Sequence, residues 1–339
     1  MAYRATIVGA SGYAGLELLR LLSAHPEISV SMAGASTRAG EPVSRYLPNI
    51  EAYRDLEFSD LTDARNADAD IVFSSLPNGK SAELFAGWDG PPVVDIGGDF
   101  RLSDPQVRGE WYPATPVAEA GWVYGLTELH RDEIRRASRV AGPGCYAAAV
   151  LLALTPLVAA GVIDPETIHI DALSGVSGAG RAGGEGFGFV EANENARPYS
   201  PVGHKHVAEI EQELARLHEG PVTVSFVPHL VPMNRGIAAT CVGKLNEEVS
   251  DQQLTEVIRA HWQGEPFVRV LNDELPATSR VSGTNIAEVT ARADVRTGRA
   301  LAFACIDNLG KGAAGQAVQN ANLMLGIEET SGLKENFTT

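Results

Sequence analysis

Residues 3–22 read YRATIVGASGYAGLELLRLL, and the way this stretch folds decides the architecture of the rest. Ala5 to Val8 form an apolar strand, Gly9, Gly12 and Gly15 punctuate the turn after it, and Leu18, Leu19 and Leu22 recur at helical spacing. A strand, a glycine turn and a helix open a dinucleotide-binding fold. The glycines let backbone approach a pyrophosphate, while the helix N-terminus offers N–H groups and a positive dipole end to it. The spacing is G-x-x-G-x-x-G rather than the commoner G-x-G-x-x-G, so the flanking strand and helix carry the reading as much as the glycines do. Gly9, Ser11, Gly12, Tyr13 and Gly15 are the residues this places against a cofactor.

Working outward, a second strand from Ile28 to Ala33 runs into Gly34-Ala-Ser36-Thr37-Arg38. A NAD-binding protein would put an acidic residue there for the ribose hydroxyls. Two hydroxyls and an arginine suit a 2′-phosphate instead, so Ser36, Thr37 and Arg38 point to NADP(H). Ala69–Pro77 and Pro92–Gly98 are short apolar runs ending in turns, the pattern of buried parallel strands with ligand-facing loops. Beyond Cys145 the pattern changes. Thr167–Leu173, Val222–Val227, Gly236–Leu245, Phe267–Leu271, Ile286–Ala293 and Ala300–Ile306 read as strands, with helices at Gly203–His218 and Ser250–Trp262. Many strands with few helices make a mixed sheet. A last helix, Gly312–Ile327, has no sheet of its own and is expected to return to the first domain. The fold class is therefore α/β: a discontinuous Rossmann-type NADP-binding domain, 1–145 plus 312–339, and an α+β domain with a mixed sheet, 146–311.

Composition narrows the function. The chain has 339 residues and a formal net charge of -16, which repels nucleic acid and anionic membrane surfaces. Neither a signal peptide nor a span long enough for a bilayer is visible. Cys145, Cys241 and Cys305 are far apart and odd in number, which is no disulfide framework and suits a reducing cytoplasm.

Cys145 follows Gly142-Pro143-Gly144 and opens an alanine- and leucine-rich helix. At a helix N-terminus the unpaired N–H groups and the macrodipole favour thiolate over thiol, which makes the sulfur nucleophilic. Pro156 is expected to end or kink this helix. A proton carrier is offered by Gly203-His204-Lys205-His206. A metal pair is disfavoured, since no third ligand stands at metal-site spacing and Lys205 opposes a cation; one of the two imidazoles as general acid/base fits better. Cys241 and Cys305, inside apolar strands, read as core.

Gly-Pro-Gly-Cys145-Tyr, Ser174-Gly-Val-Ser-Gly-Ala-Gly-Arg181, Gly203-His-Lys-His206, Pro228-His-Leu-Val-Pro-Met-Asn-Arg-Gly236 and Asp307-Asn-Leu-Gly-Lys-Gly-Ala-Ala-Gly-Gln-Ala-Val-Gln-Asn320 together resemble the N-acetyl-gamma-glutamyl-phosphate reductase family, a relative of the aspartate-semialdehyde dehydrogenases. The resemblance runs from Ile7 to about Gly326. It implies reduction of an acyl phosphate by NADPH in arginine biosynthesis, through a thioester on Cys145. It further implies that His206 is the acid/base, that His204, Ser174, Arg101 and Arg235 contact a small-molecule substrate, and that Ser74, Ser75, Pro77 and Asn308 flank the cofactor. Gly178, Gly180, Gly183 and Gly184 would form a lid or a mobile connection, and the family's dimers or tetramers imply a homo-oligomer. Gly142 and Ala147 stand where the family often carries asparagine and proline. Two other functions share the fold: reduction of aspartyl or carrier-linked aminoadipyl or glutamyl phosphate, and NADP sensing without catalysis.

Overall fold

A computed structural model of the chain describes residues 2–115, 120–181 and 187–333. The chain divides into two compact units, Met1–Pro143 with Ala313–Thr339, and Gly144–Gly312.

Among the described residues of the first unit seven strands, β1 (Tyr3–Val8), β2 (Ile28–Gly34), β3 (Phe58–Ser59), β4 (Ile71–Ser74), β5 (Val93–Asp95), β6 (Val123–Tyr124) and β7 (Arg139–Ala141), pair in parallel in the order β3-β2-β1-β4-β5-β7-β6. The order reverses between β1 and β4. At such a switch point the crossovers leave in opposite directions and open a crevice at the carboxyl ends of the strands. The glycine turn after β1 and the Ser74–Ser75 end of β4 meet there, Ser75 donating through its N–H to Val8 O and through Oγ to Gly9 O, both at 2.9 Å. The helix Gly315–Met324 belongs to this unit and packs on the helices Tyr13–Leu22 and Thr127–Ile134. Its buried Asn320 accepts a hydrogen bond from Thr127 Oγ1 at 2.7 Å and donates to Gly125 O at 2.9 Å.

The second unit carries β8 (Ile163–Ser174), β9 (Arg197–Pro198), β10 (Val224–Leu230), β11 (Ile237–Leu245), β12 (Val268–Val270), β13 (Ala287–Asp294) and β14 (Arg299–Ile306) in one mixed sheet, β12-β13-β14-β11-β8-β10-β9. The sequence shows six of these strands; β9 pairs through only two residues, too short to leave a pattern. The helix Cys145–Ala159 lies on β8, β11, β13 and β14, with Tyr146 to Val158 all buried. A helix apolar on every side is a core helix.

Pro156 does not end it, contrary to the sequence expectation. Proline removes the N–H that would reach the carbonyl four residues back, and that carbonyl, Leu152 O, instead accepts the indole N–H of Trp262 at 3.0 Å. Two other helices are shorter than their patterns: Gly203–His218 contracts to His206–Leu214, and Gly312–Ile327 to a π-helical turn, Gly310–Ala314, followed by Gly315–Met324. Close approach makes glycine necessary in the π turn, because a Cβ on Gly310 would lie 2.2 Å from Thr284 O and one on Gly312 2.9 Å from Cys145 Cβ.

Trp262→Phe is expected to cost about 1–3 kcal/mol in urea unfolding by stranding the Leu152 carbonyl, and less in a Pro156→Ala background, where residue 156 regains an N–H. Equal costs in the two backgrounds would assign the loss to ring volume alone.

Candidate functional site

Cys145 is half-buried at the first position of its helix, with Gly144 as the residue that caps it. The Gly144 N–H donates to Glu209 Oε2 at 2.8 Å. Glu209 lies one helical turn after His206, so both side chains project from the same face. His206 is 7 % exposed and Glu209 fully buried, and the His206 Nε2 is 3.9 Å from Glu209 Oε1. The second glycine of Gly-Pro-Gly leaves room for this pair: a Cβ at Gly144 would stand 2.5 Å from His206 Nε2 and 2.8 Å from Glu209 Oε1. The imidazole thus rests against the backbone that leads directly into the thiol.

His204 has a different setting. Its Nδ1 accepts the His206 N–H at 3.3 Å, and its ring stands edge-on to Tyr146 and Tyr199, centroids 5.6 and 5.8 Å away, with Phe226 at 5.2 Å. Burial, reinforced by the Lys205 charge, lowers its pKa to about 4. His204 is therefore neutral at physiological pH. Burial also pushes the Cys241 thiol well up and Cys305 up to about 12, leaving both inert beside Cys145.

Arg235, expected to hold a carboxylate of the substrate, donates through Nε and Nη2 to buried Asp307 at 2.8 and 3.1 Å. Asp307 also accepts the Leu309 and Gly310 N–H groups at 2.8 and 2.9 Å. The neighbouring Asn308 accepts from Gly236 N–H at 2.7 Å and donates to Ser177 Oγ at 3.0 Å, which brackets the turn after Ser174. Ser174 is buried, its hydroxyl on Gly175 O at 3.0 Å. Gly178 lies against Ser174 Oγ, whereas Gly183 and Gly184 fall outside the described residues.

In the first unit, Gly9 has φ +81°, and a Cβ on Gly15 would lie 2.4 Å from Gly9 O. That is the close turn-to-helix packing expected of a dinucleotide loop. No side chain caps the helix at Gly12, while Ser11 and Gly12 are half-buried and Tyr13 is exposed. Ser36 and Thr37 are exposed and Arg38 half-buried. Arg38 donates to Tyr46 Oη, lies over that ring and pairs with Glu41 at 3.5 Å. These groups fit NADP(H), with a backbone cradle for pyrophosphate and a cation beside two hydroxyls for a 2′-phosphate. Pro77 is exposed, whereas the Ser74 hydroxyl is turned inward onto Ser81, 2.9 Å away, and Ser81 donates to Asp95 Oδ1 at 2.8 Å. Arg101 donates to the Gly142 and Ile96 carbonyls at 2.9 and 2.7 Å, bracing the turn that begins Gly-Pro-Gly. Among the described residues no group of three or more His, Cys, Asp or Glu is placed to hold a metal ion, and no helix is long and apolar enough to cross a membrane.

Sequence reading passed over Glu209 and Asp307. The His206-x-x-Glu209 spacing on a helix could have flagged the first; the second, an acid closing an apolar strand, carries no pattern of its own.

Gly144→Ala is expected to lower kcat/KM by about a hundredfold or more, since rigid backbone meets a buried ring and a misplacement near 1 Å is worth that much; steady-state rates with circular dichroism as a folding control would read it, and near-normal turnover would mean His206 can move aside. Burial raises Asp95 to about 6, while in the unfolded chain it ionises near about 4. Between those values the folded state holds more protons, so this group's contribution to stability falls as pH rises from about 4 to about 6 and is flat above. Asp95→Asn is expected to add about 1–3 kcal/mol at pH 7.5 and to abolish that slope, as urea midpoints against pH would show; a less stable variant would mean the anion is the favoured partner of Ser81.

Two family descriptions match the chain: semialdehyde dehydrogenase, NAD binding domain, over residues 4–137, and semialdehyde dehydrogenase, dimerisation domain, over 145–308. The N-acetyl-gamma-glutamyl-phosphate reductase of Symbiobacterium thermophilum is 46% identical over 98% of both chains, and that of Geobacter sp. strain M21 is 44% identical over 97% of both. Among solved structures, aspartate semialdehyde dehydrogenase II from Vibrio cholerae shares the fold with a TM-score of 0.72 at 20% identity, over 96% of this chain and 99% of that one. An aspartate semialdehyde dehydrogenase with NADP from Candida albicans gives a TM-score of 0.66 at 18% identity, over 96% and 99%.

Proposed function

The chain belongs to the N-acetyl-gamma-glutamyl-phosphate reductase family, and from that premise we propose that it reduces N-acetyl-L-glutamyl 5-phosphate to the 5-semialdehyde with NADPH, releasing phosphate in a step of arginine biosynthesis. The observation that carries the mechanism is the thiol at a helix N-terminus whose capping glycine is bonded to Glu209 and pressed against His206.

His206 takes the Cys145 proton, and the thiolate attacks the acyl-phosphate carbonyl. The C–S bond forms, the C–O bond to phosphate breaks, and a thioester remains. NADPH, when bound, supplies the hydride that takes this acyl group to the aldehyde level. Collapse of the thiohemiacetal returns the sulfur as thiolate, and His206 hands a proton back to it. Glu209, 3.9 Å from the imidazole Nε2, keeps the ring oriented. Ser174, His204, Arg101 and Arg235 are the proposed substrate contacts, with Asp307 fixing the plane of the Arg235 guanidinium. Gly9, Ser11, Gly12, Tyr13 and Gly15 would hold the pyrophosphate, and Ser36, Thr37 and Arg38 the 2′-phosphate. Ser74, Ser75, Pro77 and Asn308 would flank the nicotinamide half.

We assign the cofactor to the unit Met1–Pro143 with Ala313–Thr339 and the chemistry to Gly144–Gly312, in the cytoplasm. A second copy is placed against the face of the mixed sheet where Leu173 is 39 % exposed and Ala238, Val242, Leu301 and Phe303 are half-buried, because alternation leaves these side chains opposite the core helix. Sedimentation velocity separates homodimer from homotetramer, and a monomer would remove that assignment.

Run in reverse with phosphate, NADP and N-acetylglutamate semialdehyde, the wild type is expected to form NADPH, Cys145→Ser to lose at least about a thousandfold, and His206→Gln about a hundredfold or more in kcat. Preference for aspartate semialdehyde would reassign the substrate, and a fully active serine variant would end the thioester mechanism.

A further inference from the structure

The segment that delivers His206 is poorly supported by backbone. After β9 the Tyr199 N–H reaches Pro228 O at 3.0 Å, and the chain then runs through Ser200 to Gly203, all exposed, with Val202 92 % exposed. Ser200 has φ +41°, a left-handed conformation that a residue other than glycine keeps only where its surroundings impose it. From this exposed, strained turn the chain must place a buried histidine at the start of a helix.

The side chain of Tyr199 supplies the anchor. Its hydroxyl donates to Tyr146 Oη at 3.1 Å, and Tyr146 donates in turn to His229 O at 3.3 Å. Tyr146 is 2 % exposed and follows the nucleophile directly on the core helix. The chain of donors therefore has one direction, and both phenols must keep their protons to make it. Burial ensures this, raising Tyr199 to about 12 and Tyr146 higher still. The Tyr199 and Tyr146 rings also form two sides of the box around His204. His204 terminates the acid/base helix twice over, accepting the His206 N–H through Nδ1 at 3.3 Å and the Val207 N–H through its carbonyl at 2.9 Å.

We propose that the Tyr199–Tyr146 hydroxyl pair is a latch, and that Tyr199 is a positioning residue which holds segment 197–204, with the His204 cap, on the nucleophile helix and so fixes His206 beside Cys145. The latch rests on the reading of Cys145 as nucleophile and His206 as acid/base. It acts through geometry alone: freeing the Tyr199 hydroxyl releases the strained turn, loosens the cap and lets the His206 ring withdraw from Gly144.

The test uses Tyr199→Phe, Tyr146→Phe and the double variant in the full chain, with two readouts. Turnover of N-acetylglutamate semialdehyde gives kcat and KM. Alkylation of Cys145 by iodoacetamide, without substrate, across neutral to mildly alkaline pH reads how well His206 supports the thiolate. Tyr199→Phe is expected to lose about 3–10-fold in kcat, the worth of one neutral hydrogen bond, and Tyr146→Phe, which also gives up its bond to His229 O, at least as much, with KM for NADP unchanged. Alkylation near neutral pH should slow by a similar factor, with the alkaline plateau unaltered. The double variant should be no worse than Tyr146→Phe, which already removes the Tyr199 bond together with the one to His229 O. Additive losses, an effect confined to the KM for the semialdehyde, or an unchanged alkylation profile would each overturn the latch. If the wild type itself fails to turn over, the proposed reaction falls, and the alkylation profiles still decide the latch.

Discussion

Glu209 is a fully buried carboxylate that accepts the N–H of Gly144, and the arrangement of thiol and imidazole depends on that bond. Burying an anion is costly unless its oxygens find donors or opposite charge. Here one oxygen takes the N–H just ahead of Cys145, and the other faces His206. Glu209 thereby ties the chain ahead of Cys145 to the helix that carries His206.

The sequence makes the first unit legible because its signals are local. One glycine turn between a strand and a helix announces the crevice, and the strand-end residues Ser36 to Arg38 announce the phosphate. The core helix after Cys145 is equally plain from its composition. What is hidden lies in long-range pairings. Nothing near Pro156 shows that Trp262, more than a hundred residues later, will satisfy the orphaned carbonyl, and so the helix reads as ended or kinked there, whereas it runs on to Ala159. β9 is too short for any periodicity, and the glycines of the π turn at Gly310–Ala314 make room for Thr284 and Cys145, which lie far off in the sequence.

The candidate site divides in the same way. Cys145 and His206 are visible because glycines and a paired histidine are unusual neighbours for them. Their supports are ordinary acids and tyrosines whose roles exist only once the chain is folded. Arg101, Arg235, Ser74 and Asn308 illustrate the converse: recognisable by position, each is engaged with backbone or buried polar groups of its own unit. Such engagement fixes a side chain in one rotamer, and a fixed side chain loses little entropy when a ligand arrives.

Gly144 and Gly312 begin and end the second unit, and the close approach of Gly312 to Cys145 brings these two ends side by side. A stretch of chain whose entrance and exit touch has the geometry of an inserted cassette: it can be spliced into a host loop, or excised and bridged by a few residues, without pulling its own sheet apart. Both ends of the cassette lie next to Cys145. Any recombination that trades one such cassette for another carries Cys145, the helix that begins at His206 and the residues around them across as a single heritable part, and leaves the host with its own glycine turn.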